Sequence, residues 1–136
     1  MRIAAVVFGA DCSSRRARKV NGPAVIRSIR IAGVRYRPLM AALSTHVLDT
    51  ATGRPAAGVA VALEREGNVV ARGTTDTDGR IRELASSLAP GRYALVFELA
   101  GGFFRRVALE IEIGSEPTYH VPLLVTPFGV TSYRGS

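Results

Sequence analysis

Apolar and polar residues alternate without a break from Val107 to Ile113. Val107, Leu109, Ile111 and Ile113 fall on one face and Glu110 and Glu112 on the other, the two-residue period of a half-buried strand. Tyr93, Leu95, Phe97 and Leu99 repeat the pattern after a Pro90-Gly91 turn, and Val59, Val61 and Leu63 lead into a turn at Gly67-Asn68, which Val69-Val70-Ala71 follows. Tyr119, Val121, Leu123 and Val125 make a further apolar face, and Leu43–Thr50 reads as another strand. Short strands separated by Gly, Pro and Asp turns predict an all-β fold, a two-sheet antiparallel sandwich with at most one short helix. The only segment with a hint of helical spacing is a single turn from Leu84 to Leu88.

Composition agrees with one such domain. The chain has 136 residues, 47% of them hydrophobic and 21% charged, enough apolar material for a core and too little charge for wholesale disorder. No apolar run approaches the roughly 18 residues of a membrane helix, so no membrane partner is expected. The lone cysteine, Cys12, can form neither an internal disulfide nor a cysteine-based zinc site.

The formal charge of +7 changes the picture only when it is divided along the chain. Residues 1–42 hold nine of the 18 Lys and Arg residues against one acid, Asp11, leaving nine basic and ten acidic residues for 43–136. The basic excess therefore belongs to an N-terminal extension, 1–42, and no nucleic-acid face is expected on the folded part, 43–136. The extension has no clear period and no A-x-A-like cleavage site after its short apolar run from Ile3 to Ala10. Its Arg-rich, acid-poor composition fits a transit peptide or a basic arm; the blander reading is an unstructured tail or sequence upstream of a start at Met40, and a cytoplasmic location is expected.

Two histidines lie in strand-like segments of the folded part. His46 shares a face with Ser44 and Leu48, and His120 shares one with Pro122, Leu124 and Thr126, opposite the apolar face of its segment. Each is either solvated or part of a site. The Thr74–Arg80 stretch holds a turn built from Asp76, Asp78 and Gly79, lacks the spaced ligands and terminal Glu of a calcium loop, and ends on a guanidinium suited to planar acceptors. No phosphate loop, nucleophile elbow or dinucleotide fingerprint is present.

Four segments, in order, then match one family. These are Leu43-Ser44-Thr45-His46-Val47-Leu48-Asp49-Thr50 leading into Thr52–Ala56, Thr75-Asp76-Thr77-Asp78-Gly79-Arg80, Tyr119-His120-Val121-Pro122-Leu123-Leu124, and the terminal Ser132-Tyr133-Arg134-Gly135-Ser136. Together they resemble the 5-hydroxyisourate hydrolase family, the enzyme branch of the transthyretin-like fold, over essentially all of 43–136. The resemblance implies a transthyretin-like sandwich that opens the ring of 5-hydroxyisourate in urate catabolism toward allantoin. It assigns catalytic roles to His46, Arg80 and His120 and substrate binding to Tyr133, Arg134, Gly135 and Ser136. It implies no cofactor and no metal, and a homotetramer whose sites lie between dimers, so that both histidines face a partner.

Two departures from the family pattern stand out. The connection Ala100–Arg106 is shorter than the stretch in which the family usually carries a short helix, which puts that helix in doubt, and Val130 replaces a common aromatic residue, which is expected to reshape the pocket edge. Two rivals are a ligand-binding transthyretin-like tetramer and a non-catalytic prealbumin-like module. Gly53-Arg54-Pro55, Asp76–Gly79 and Gly91-Arg92-Tyr93 fit the second. Neither accounts for the two histidines and the Tyr-Arg-Gly-Ser end.

Overall fold

The computed structural model describes residues 39–136, together with the backbone of 30–31 and 34–35. The expectations for the basic extension, including the Met40 start and Cys12, lie outside the described residues. Within that extension, β1 (Arg30–Ile31) and β2 (Val34–Arg35) form a small antiparallel pair belonging to a separate unit, Met1–Tyr36.

Every described element of the unit Arg37–Ser136 is a strand: β3 (Ala41–Asp49), β4 (Arg54–Pro55), β5 (Ala60–Arg65), β6 (Asn68–Thr74), β7 (Arg80–Leu88), β8 (Gly91–Glu98), β9 (Arg106–Ile113), β10 (Thr118–Val125) and β11 (Val130–Ser132). One sheet runs β11-β10-β3, with both β7 and β4 pairing the far side of β3's length, and the other runs β6-β5-β8-β9. The alternating residues face each other across the layers as their pattern predicts. Leu43, Val47 and Leu123 of the first sheet meet Leu63, Leu95, Phe97 and Ile113 of the second.

The structure departs from the sequence reading at several points. The ladder between β3 and β10 is parallel, from Ala42 beside Thr118 to Asp49 beside Val125, whereas every other pair is antiparallel. Alternation reports which face a side chain takes and is blind to strand direction. The helical turn expected at Leu84–Leu88 is part of β7. Two register shifts against β3, and a left-handed Ser87 (φ 71°), insert extra residues into this strand. Ile81, Leu84 and Leu88 consequently all face the core, a spacing that imitates a helix.

No helix occurs among the described residues. The short β8–β9 connection instead closes on itself through Leu99 N–H donating to Arg105 O (2.8 Å). It docks on the β10–β11 turn through Phe103 N–H to Pro127 O (2.8 Å). Val130 pairs with Val125 and packs against the core, so its side chain lies on the opposite face of the sheet from His120.

One buried hydroxyl ties the strand connections together. Thr75 Oγ1 donates to Ala56 O (2.7 Å) and accepts from Val59 N–H (2.9 Å), just ahead of the turn that leads into β7. Thr75→Val keeps the shape and strands both backbone groups, at a cost of about 1–3 kcal/mol. For a domain of this size the melting temperature should fall by roughly 4 °C or more, measured by circular dichroism. An unchanged melting temperature would show that water replaces the hydroxyl.

Candidate active site

The turn before β7 is held by its own carboxylate. Asp76 Oδ1 accepts the N–H groups of Asp78 and Arg80, both at 2.9 Å, and Gly79 closes the turn in the left-handed region (φ +70°). Gly79 also presses on β3: its carbonyl accepts Val47 N–H at 2.7 Å, and a side chain there would collide with Val47 O. The Arg80 amide, helped by the Asp78 amide and the charges of Arg82 and Arg80, holds the Asp76 carboxyl below its usual range. The result is a rigid reversal that delivers Arg80 directly opposite His46 on β3.

On the other side of β3, the parallel ladder sets His120 beside Ser44 and Pro122 beside His46. Since Leu43, Thr45 and Val47 point into the core, Ser44 and His46 must point out, and His120 does so with them. Three neighbouring strands thus bring His46, Arg80 and His120 to one outward face. Ser44, Thr45, Arg80, Ile81, Arg82 and His120 line a shallow recess of about 280 Å³ there. Two larger clefts, each of about 570 Å³, contain no histidine.

The chain end is docked beside this face. Opposite Leu124 stands Thr131, and in the same register Gly135 pairs with His120, its N–H donating to His120 O at 2.8 Å. Between them the ladder is interrupted where Pro122, which has no N–H, falls opposite Tyr133. Ser132 Oγ reaches across to Pro122 O (2.9 Å) and holds the tail at the gap. Gly135 lies so close to the His120 ring that a methyl group on it would come within 2.7 Å of Cδ2.

The terminal residues are split between two places. Gly135 adjoins His120, whereas exposed Tyr133 lines the edge cleft with Tyr119 and Arg134. The Arg134 guanidinium lies 5.1 Å from the centre of the Tyr119 ring at the edge of the sandwich. Ser136 is exposed. Two residues of the recess, Ser44 and Arg82, were given no role from sequence. The available signal was spacing, since each lies two residues from a candidate on an alternating strand, Ser44 before His46 and Arg82 after Arg80.

The His120 ring is bounded by Ser44 Oγ, 2.8 Å from Nδ1, and by Gly135 at Cδ2. Burial first, then the positive charge of Arg80 and the proximity of His46, push its pKa below the ordinary 6.5. At neutral pH the ring is therefore a neutral imidazole able to accept a proton, beside a guanidinium able to hold a planar, partly anionic group. No cluster of three or more His, Cys, Asp or Glu side chains suited to a metal occurs among the described residues.

The sign of the pH effect follows. Unfolded chain binds the proton near pH 6.5 and folded chain only below it, so the stability associated with neutral His120 is lost as pH falls through that interval. Because the chain has two histidines, an NMR titration resolves both. The His120 resonance should show a midpoint below 6.5. A midpoint at or above 6.5 would mean that the ring does not experience burial and Arg80 as described.

Comparison with known proteins bears on this face. A model of the HIUase/Transthyretin family matches residues 43–135. The 5-hydroxyisourate hydrolase of Salmonella dublin is 38% identical over 109 residues, covering 69% of this chain and 80% of that protein. The enzyme of that name from Caulobacter vibrioides is 39% identical over 115 residues, covering 71% of this chain and 100% of that one. Among solved structures, Klebsiella pneumoniae 5-hydroxyisourate hydrolase superposes with a TM-score of 0.67 at 41% identity, covering 71% of this chain and all of its own.

Proposed function

Because this chain belongs to the HIUase/Transthyretin family, we propose that its outward site performs the reaction for which its relatives are named, the hydrolytic ring opening of 5-hydroxyisourate. The protein is a hydrolase of urate catabolism. The observation that carries the reading is the convergence of His46, Arg80 and His120 from three adjacent strands onto one solvent-facing surface.

The reaction follows from those groups. A water oxygen attacks a ring carbonyl carbon while a neutral imidazole removes one of its protons, an effect worth about 10²–10⁴-fold. Arg80 donates to the carbonyl oxygen as negative charge develops on it. The tetrahedral adduct collapses with cleavage of the ring C–N bond, and the departing nitrogen takes the proton back from imidazolium. The products are a carboxylic acid, which ionises to a carboxylate and releases one proton to solvent, and a ureido N–H, so atoms and charge balance. His46 and His120 act on the water and the leaving nitrogen, while the Tyr133–Ser136 tail closes the site around the substrate.

Assembly belongs to the same reading. On one chain the recess is open, and the sheet face around it also carries half-buried Leu48 and Leu124. Phe128 at the β10–β11 turn is 84% exposed. A homotetramer with sites at the dimer–dimer interface would cover these groups and enclose the reaction. A cytoplasmic enzyme needing no cofactor is the corresponding expectation.

Two tests address this. When 5-hydroxyisourate is generated from urate by urate oxidase, its ultraviolet decay should be accelerated by the protein. His46→Ala, Arg80→Ala, His120→Ala and a chain ending at Ser132 should each lose about 10²-fold or more in kcat/KM while still folding. Near-normal turnover by folded Arg80→Ala would remove Arg80 from the site. The second test concerns residues 1–39, proposed to be dispensable. A chain beginning at Met40 retains all of β3 and should match the full chain in activity and melting temperature, whereas a large loss of either would show that the extension contributes to the fold.

A further inference from the structure

His120 has a hydrogen-bonding neighbour that the reaction itself does not require. Ser44 Oγ lies 2.8 Å from His120 Nδ1 and donates to Tyr119 O at 3.3 Å. A hydroxyl has one proton and two lone pairs. With that proton directed to the Tyr119 carbonyl, a lone pair faces the ring, and the short contact to Nδ1 requires a hydrogen on the ring nitrogen.

The remaining surroundings agree. The opposite ring edge, at Cδ2, is closed by Gly135, which leaves the Cε1–Nε2 corner as the free part of the ring. Arg80 and Arg82 line the recess, and no carboxylate-bearing residue does. Guanidinium donates and never accepts, so these charged neighbours suit an Nε2 lone pair and offer nothing to an Nε2–H. His46, the other titratable group nearby, stands on the same outward face of β3 as Ser44.

We propose that Ser44 is a positioning residue that holds His120 as the Nδ1–H tautomer and so directs the basic Nε2 at the substrate. The inference rests on the hydrolase reading of this face, but its primary test does not. In protein labelled with ¹⁵N-histidine above pH 7, two imidazoles are observed, and a His46→Asn variant assigns the remaining one to His120.

The wild-type His120 should carry its hydrogen on Nδ1. In Ser44→Ala the population should shift toward Nε2–H, kcat should fall about 10- to 100-fold with KM little changed, and Ser44→Thr, which restores a hydroxyl, should recover both. Wild-type His120 with hydrogen on Nε2 overturns the proposal, as does an unchanged kcat in folded Ser44→Ala. Should wild-type protein leave 5-hydroxyisourate untouched, the hydrolase reading fails while the tautomer measurement still decides the role of Ser44. Because the His120 tautomer is read with Ser44 intact, failure of Ser44→Ala to fold leaves the proposal open to refutation.

Discussion

Pairing β10 in parallel with β3 puts the two strands in phase, so that Leu43, Thr45 and Val47 go inward with Tyr119, Val121 and Leu123 while Ser44, His46 and His120 go outward. A slip of one residue would turn His120 into the core and Tyr119 to solvent. The register is secured from inside by Thr45, whose buried Oγ1 donates to Val121 O at 2.7 Å, and by the apolar residues on either side of it. The site is thus a consequence of core packing on the reverse face of the same strands.

Two irregularities convert that regular sheet into a site. Pro122 removes one N–H from the ladder with the chain end, and Ser132 bridges the gap so that Gly135 can rejoin at His120. On the far side, the turn organised by Asp76 and Gly79 starts β7 with Arg80 opposite His46. Each irregularity uses a residue whose chemistry permits it: proline without a donor, glycine without a side chain, and aspartate as acceptor for two amides.

The faces of β3, β5, β8, β9 and β10 were legible because each strand follows a two-residue period with one face against a single core. The outward placement of His46 and His120 came directly from that period. β7 was not legible, because its bulges make Ile81, Leu84 and Leu88 repeat like a helix. Nor was the parallel direction of β10, the division of Tyr133–Ser136 between two places, or the contact of Ser44 with His120. The first and the last depend on pairings between residues some 75 positions apart, and the second on a ladder interrupted at Pro122, which no local pattern contains. The catalytic assignment came from four ordered motifs resembling a family. Folding then brings His46, Arg80 and His120, each from a different one of those motifs, to a common surface.

The proposal stands or falls on the outward face of the β10–β3–β7 sheet being the reactive centre, completed by a second copy. A crystal structure with a planar, non-hydrolysable purine analogue tests it most directly. The account predicts the analogue against Arg80, His46 and His120, enclosed between the facing sheets of two subunits. An analogue bound instead in the edge cleft by Tyr119 and Arg134, or held by one subunit with no partner near, would contradict it.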